Sequence, residues 1–268
     1  MQIDQFRHED LDAFLTLAGE EGWICDRWEF EFLLNTFPGG CLVAREGDIP
    51  VGFATSIKYG KSGWIGNLIV RGDCRGRGIG TALMKQTLAA LADAGTETVW
   101  LTASRAGKPI YEALGFAAMD VIHRWVGEGT GGMAPCREPI PRSEILALDR
   151  DGWGDRRDAI IDAVADRGRL FTTRGAFLFS QPCAGGVQLG PWGGTDDGAL
   201  LLLDDALAET EAGGRVFLDV PIRNTGQTSL LLGKGFSIRG STLLMCRGAA
   251  PAYAPERVFA LASMGSLG

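Results

Sequence analysis

Two rhythms of hydrophobic and polar positions alternate along this chain, and between them they predict most of its elements. Apolar residues fall at helical spacing twice near the start, as Leu11, Phe14, Leu15 and Leu17 within His8–Glu21, then as Trp28, Phe32 and Leu33 within Arg27–Thr36. Pro38-Gly39-Gly40 stops the second helix, and Met1–Phe6 ahead of the first reads as a strand. Cys41–Arg45 and Val51–Ile57 flank the turn Glu46-Gly47-Asp48 and predict a hairpin. Trp64–Val70 is nearly continuous apolar, the pattern of a strand covered on both faces. Behind it Met84, Leu88 and Leu91 stand at i, i+4 and i+7, with Lys85, Gln86 and Asp93 opposite, which predicts an amphipathic helix. A strand at Thr98–Ala103 and a short helix from Lys108 to Gly115-Phe116 follow.

The rhythm breaks between Val126 and Pro141, a stretch crowded with glycine and proline, and a linker is expected there. The resulting division is a first domain over 1–127, a linker over 128–141 and a second domain over 142–268. Helical spacing returns at Ser143–Asp149 and Asp155–Ala165, and short strands at Leu170–Thr173, Ala176–Ser180 and Val187–Leu189. A helix at Ala199–Ala212 leads to the strand Val216–Pro221 and to a helix closing on Gly235-Phe236. Strand, polar turn, helix and Gly-Phe thus recur, as Val99–Phe116 and again as Val216–Phe236, which suggests a duplicated unit. The fold class expected is α/β with a mixed α+β sheet, duplicated into two domains.

One loop between the elements carries chemistry. Arg75-Gly76-Arg77-Gly78-Ile79-Gly80 lies between the Trp64–Val70 strand and a helix N-terminus, where free N–H groups and the positive end of the helix dipole favour an anion. Glycines let a backbone approach closely, and guanidinium forks suit phosphate oxygens. The loop therefore reads as a pyrophosphate site. No Gly-Lys-Ser/Thr closes it as in a P-loop, and its alternating glycines miss the G-x-G-x-x-G of dinucleotide folds.

The spacing R-x-x-G-x-G, with Tyr111-Glu112-Ala113-Leu114-Gly115-Phe116 downstream as Y-x-x-x-G-F, resembles the GCN5-related N-acetyltransferases (GNAT). The close match spans roughly residues 40 to 125. The resemblance implies acetyl-coenzyme A as co-substrate and an amine of a small molecule or peptide as acceptor. It assigns the pyrophosphate to the amides of Arg75, Gly76, Arg77, Gly78, Ile79, Gly80 and Thr81. The pantetheine arm would lie beside Leu68, Ile69 and Val70, with an amide near Val70 polarising the thioester. Tyr111 is the implied general acid for the departing sulfur, the alternative being a ring that only packs on the coenzyme. The first two helices form the acceptor wall in this family, which places Cys25, Asp26, Trp28 and Glu29 there. Trp28 as a core aromatic and Asp26 as a helix N-cap are the plainer readings.

No carboxylate stands on the central strand at Gly66-Asn67-Leu68, so no base is named; Asn67 could hold a water, Glu29, Asp26 or Asp219 could act through one, or the amine could arrive already deprotonated. The second half carries Leu218-Asp219-Val220-Pro221-Ile222-Arg223-Asn224, similar to tandem members of the family. There Leu231 replaces the tyrosine, and Gly190-Pro191-Trp192-Gly193-Gly194-Thr195 replaces the arginine loop, so a degenerate half without coenzyme is expected. Part of that half, around Asp219, Arg223 and Asn224 or Val258–Ser263, is expected to line the acceptor pocket. Rival readings are an aminoacyl- or acyl-transferase of tandem type and a non-catalytic coenzyme sensor.

Composition narrows the partners. Net charge is −7 and pI about 5.0, against a nucleic-acid partner and in favour of a cationic amine. Six cysteines without a C-x-x-C pair and only two histidines, His8 and His123, leave no zinc spacing, so no metal is expected. Reduced thiols, no leader and no membrane-length apolar run make the cytoplasm the expected location; a homodimer is left open.

Overall fold

The computed structural model describes residues 1–268, apart from the side chains of Asp196 and Asp197. The first half runs β1 (Gln2–Gln5), α1 (Leu11–Glu20), α2 (Arg27–Thr36), β2 (Leu42–Glu46), β3 (Ile49–Lys58), β4 (Ser62–Val70), α3 (Ile79–Asp93), β5 (Thr98–Ala103), α4 (Lys108–Ala113) and β6 (Ala117–Glu128). The second repeats the order with α5 (Arg142–Trp153), α6 (Asp158–Arg167), β7 (Arg169–Thr173), β8 (Ala176–Cys183), β9 (Gly186–Gly194), α7 (Asp196–Glu209), β10 (Arg215–Pro221), α8 (Thr225–Gly233) and β11 (Ser237–Gly248), then adds β12 (Val258–Ala260). Element for element, α1 to β6 parallels α5 to β11. The start of α2 shows the local logic: the Asp26 carboxylate accepts from the Trp28 amide at 3.0 Å and caps the helix.

All strands join one 12-stranded sheet, ordered β1-β2-β3-β4-β5-β11-β6-β10-β9-β8-β7, with β12 against β9. The order means that the halves exchange their last strands. β11 pairs antiparallel with β5 from Leu243↔Ala103 to Gly248↔Thr98, and with β6 on its other edge. β6 in turn pairs with β10 from Arg215↔Glu128 to Pro221↔Ile122. Each half therefore supplies a ladder the other lacks. Residues 129–141 have irregular backbone but are tied to α7: Arg137 pairs with Asp205, and the Ala134 amide donates to Glu209 at 3.0 Å.

Helices α1, α2, α5 and α6 cover one face of the sheet over a shared aromatic core. Trp153 on α5 packs between Trp64 and Trp100, with centroids 6.0 and 5.1 Å away, and against Tyr253 at 5.9 Å. Such ring pairs add about 0.5–1.5 kcal/mol each beyond their burial, here across the two halves. The other face carries α3 and α4 over Met84, Leu91, Leu101 and Tyr111, and α7 over Leu202, Leu203 and Trp125.

Two irregularities in the sheet position the site. The parallel pairing of β4 with β5 ends at Trp64↔Trp100, so from Ile65 onward one edge of β4 is open. Within that stretch the β3–β4 register slips between Phe53/Ile69 and Thr55/Gly66, and Asn67 takes φ 55, a bulge that re-aims the strand. The second half has the same divergence after Leu189↔Leu218, but there β12 fills it, pairing Val258↔Gly193 and Ala260↔Trp192 across a one-residue register shift. The stretch Gly190–Gly194 is consequently strand, not the loop expected from its composition: backbone pairing on both sides overrides its turn-forming residues.

Candidate active site

A cleft of about 1330 Å³ passes through the gap between β4 and β5. Trp23, Ile24 and Cys25 of the α1–α2 loop form one lip, Gly66, Asn67 and Leu68 the β4 side, and Tyr111 of α4 part of the opposite wall. Beyond them the cleft runs over β6, β10 and β11, past Arg124, to Arg215 and Arg239. Leu68 lines it, while Ile69, Val70 and the loop 75–81 continue from it along β4 into α3.

The loop has the geometry of an anion cradle. Gly76 and Gly78 take φ 75 and 80, which only glycine adopts at little cost, and Gly78 caps α3 without any side-chain bond. The amides of Ile79, Gly80 and Thr81 precede the first intrahelical bond, Ala82 N to Gly78 O at 3.0 Å, and so point outward unused. Gly80 faces Val70 and Leu68, where a Cβ would sit 3.7 and 4.0 Å away, and Ile79 is buried as a core side chain. Arg75 pairs with Glu21 and bonds the Val70 carbonyl at 2.9 Å; Arg77 pairs with Glu46. Both guanidinium groups are about half exposed, so either can turn toward a phosphate.

The segment Ser263–Ser266 completes the cleft wall beside β4. Ser263, Met264, Gly265 and Ser266 run beside β4, so close that a Cβ on Gly66 would collide with the Gly265 carbonyl. Ser266 Oγ lies 2.9 Å from Glu29 Oε2 and 3.2 Å from Asn67 Oδ1, and Asn67 Nδ2 donates to Thr55 Oγ1 at 2.8 Å. Glu29 is partly buried on α2, and burial pushes its pKa up to about 7, beyond what the Ser266 and Ser263 hydroxyls offset. Across the cleft, burial holds the Tyr111 phenol up at about 12. Cys25 is likewise pushed up to about 12, by burial and then by Glu29, which leaves its thiol protonated.

The remaining sequence candidates divide. Trp28 stacks on Phe32 at 5.6 Å beneath the Arg167 guanidinium, 4.2 Å from its ring, and does not line the cleft. Asp219 is fully buried. It takes both forks of Arg124, at 2.8 and 2.7 Å, and the Met264 amide at 3.0 Å, so it reaches the cleft only through Arg124. Arg124 and Ser266 escaped the sequence reading. Arg124 sits in a strand of unremarked pattern, and Ser266 lies in a short Gly-Ser stretch whose contacts are nearly 200 residues away in the chain. His123 is on β6, paired as a strand residue. Val258–Leu261 is buried against the second half; of the expected segment Val258–Ser263 only Ser263 lines the cleft, which is continued by Met264–Ser266 beyond it.

Residues 3–116 match the Acetyltransferase (GNAT) family model. An uncharacterized N-acetyltransferase of Methanocaldococcus jannaschii is 30% identical over 140 residues, covering 44% of this chain and 61% of that protein. The chain thus spans under two thirds of that relative. Over nearly its whole length it shares its fold with a candidate acetyltransferase of Pyrococcus horikoshii (TM-score 0.84, 22% identity, 99% of this chain and 95% of that one). A GCN5-related N-acetyltransferase of Sphaerobacter thermophilus is also similar (TM-score 0.67, 14% identity, 94% and 98%). No helix among the described residues is long and apolar enough to cross a membrane, and none of them gather into a His, Cys, Asp and Glu group suited to a metal.

Proposed function

We propose that this protein moves an acetyl group from acetyl-coenzyme A to an amine of a small molecule or peptide, by direct transfer. The observation that carries this is the continuity of the open β4 edge with the unused amides at the start of α3. The residues fit the coenzyme: two glycines at positive φ, three outward amides and two arginines that can re-pair would hold a pyrophosphate. The open edge at Leu68–Val70 would pair with an extended arm as an added strand does. When bound, acetyl-coenzyme A supplies an activated thioester.

The chain's own groups then divide the proton work. Tyr111 approaches from the α3–α4 face and Glu29 from the α1–α2 face. The amine nitrogen forms its bond to the carbonyl carbon as the carbon–sulfur bond breaks. Its proton passes to Ser266 Oγ while the Ser266 proton passes to Glu29, a base whose pKa near 7 suits neutral operation. Tyr111 donates a hydrogen bond to the developing thiolate. Because its pKa lies ~3.5 units above a free thiol's ~8.5, complete proton transfer costs on the order of 5 kcal/mol, so hydrogen bonding is the larger part of its role. A donor that lines the gap and a base that reaches it through Ser266 favour an enzyme over a coenzyme sensor.

The test is calorimetry with acetyl-coenzyme A followed by thiol-release assays over a panel of amines. One coenzyme per chain is expected, since β12 fills the equivalent gap of the second half. Absence of coenzyme binding would refute the reading, and two per chain would refute the role given to β12.

A further inference from the structure

The cleft is basic although the chain is acidic. Its floor, beyond the reactive gap, is made by β6, β10 and β11, which contribute Arg124, Arg215 and Arg239, with Lys234 at the end of α8 beside them, against one lining carboxylate, Glu128. Lys234 is paired with Asp204. Arg215 and Arg239 have no carboxylate within salt-bridge reach among the described residues, whereas the two arginines of the coenzyme loop are both paired.

Arg124 is built into the floor differently from a surface arginine. Asp219, fully buried, grips its Nε at 2.8 Å and one Nη at 2.7 Å, and is itself held by the Met264 amide and by Gln188 Nε2 at 3.3 Å. A guanidinium fixed on one side in this way loses little rotamer freedom on meeting an anion. Its remaining Nη1 has no partner among the described residues, and the side chain keeps 22% exposure toward the cleft. Arg239 sits in the β11 bulge opposite Arg124 and Trp125, and Arg215 lies across from Glu128 at the far end of β10.

From this we propose that Arg124, positioned by Asp219, forms with Arg239 and Arg215 an anion subsite that receives a carboxylate of the acceptor. The acceptor is then an amine that also bears a negative group, a short peptide with a free C-terminus being the simplest case. β5 and β11 intervene between β4 and β6. At ~4.8 Å per strand the subsite lies roughly 10–15 Å from the reactive edge, more than one amino acid spans and about the length of an extended tripeptide. This refines the expectation that the acidic balance of the chain suits a cationic amine: the overall charge is acidic, while the cleft is lined mainly by basic side chains. The proposal rests on the acetyltransferase reading only for the identity of the amine's reaction, not for the binding of the anion.

The probe pair is triglycine and triglycinamide, which share an amine and differ in the terminal carboxylate. Binding of each to the full chain is measured by calorimetry without coenzyme, and kcat/KM with acetyl-coenzyme A is measured in parallel. The carboxylate form is expected to bind and react ~10-fold or more better, as a charge-assisted fork does, with the difference in KM and shrinking at high salt. Arg215→Ala/Arg239→Ala is expected to bring triglycine down to the triglycinamide level, and Arg239→Glu to invert the preference. Asp219→Asn is expected to raise KM for triglycine alone and leave the ratio of kcat values unchanged, which a general loss of fold would not do. Equal binding of the two peptides at millimolar concentration, or a preference that survives in the double variant, overturns the subsite. Failure to consume acetyl-coenzyme A with carboxylate-dependent binding intact overturns the acetyltransferase reading and keeps the subsite.

Discussion

Replacing Glu29 by Gln separates its chemistry from its cost to the fold. The folded-state pKa is raised, from 4.5 to about 7, chiefly by burial. The sign follows: the protonated acid is the form the fold prefers, so its contribution to stability is complete below pH ~4.5 and is lost as pH rises through ~7. At 1.36 kcal/mol per unit the raised pKa corresponds to at most ~3 kcal/mol, less some screening because the group is only partly buried. Glu29→Gln should therefore leave the melting temperature nearly unchanged at pH 4.5. At pH 8.5 it should raise it by several degrees, at ~2–4 °C per kcal/mol for a chain of this size. The same substitution should lower kcat/KM by ~10²–10⁴-fold and remove the acidic limb near pH 7. Ser266→Ala provides the control that a packing role would not pass. Its hydroxyl lowers the Glu29 pKa, so without it the limb should move to higher pH. Thermal unfolding at the two pH values and a pH–rate profile for the three proteins are the measurements. A limb that stays in place in both variants, with the same thermal shift at pH 4.5 and 8.5, would refute Glu29 as the base.

Gly78→Glu should abolish coenzyme binding in calorimetry. The position has φ 80 and open space, so the loss would come from strain and from a carboxylate facing phosphates, and unchanged affinity would exclude the loop. Tyr111→Phe should keep coenzyme affinity and slow the chemical step by ~10²-fold or more in single-turnover assays; a loss under ~3-fold would leave the ring as packing only. In Gly66→Ala the new methyl meets the Gly265 carbonyl, so the Ser263–Ser266 segment must shift and kcat should fall with little change in coenzyme affinity. A chain ending at Pro139 should fail to unfold cooperatively in calorimetry, because β5 and β6 lose the strand between them.

The elements and the glycine–arginine loop were legible because their signals are local. Helical spacing at Arg27–Thr36, the short apolar run at Thr98–Ala103 and the glycines of the Arg75–Gly80 loop each lie within one element, and each appears where its pattern places it. Strand order was not legible, because nothing in the pattern of β11 says that its partners are β5 and β6 rather than strands of its own half. The same limit applies to the site. Glu29 and Asn67 could be named from the family resemblance, but their link, Ser266, is a small polar residue in a segment without periodicity, and its role arises only where the chain end crosses β4. Asp219 was visible in a motif and Arg124 was not, although the exposed member of the pair is Arg124. A buried carboxylate keeps its motif, while the side chain it orients is defined by register across two strands.

Under the proposed function, these exchanges let a half that lacks the arginine loop contribute to the site. β12 occupies the gap where the first half is open, and Phe259 stacks on Trp192 at 5.2 Å within the core. A gap filled by covalently attached strand faces no loss of translational freedom, so a free coenzyme arm competes poorly for it. The chain that fills it continues as Leu261, whose amide bonds the Asp219 carbonyl at 2.9 Å, and then as Met264 and Ser266 at the first half's β4. One segment thus closes the second half's gap, steadies Asp219 beneath Arg124 and delivers Ser266 to Glu29. Loosening β12 should for that reason disturb acceptor binding and proton transfer in the other half before it opens any second coenzyme site.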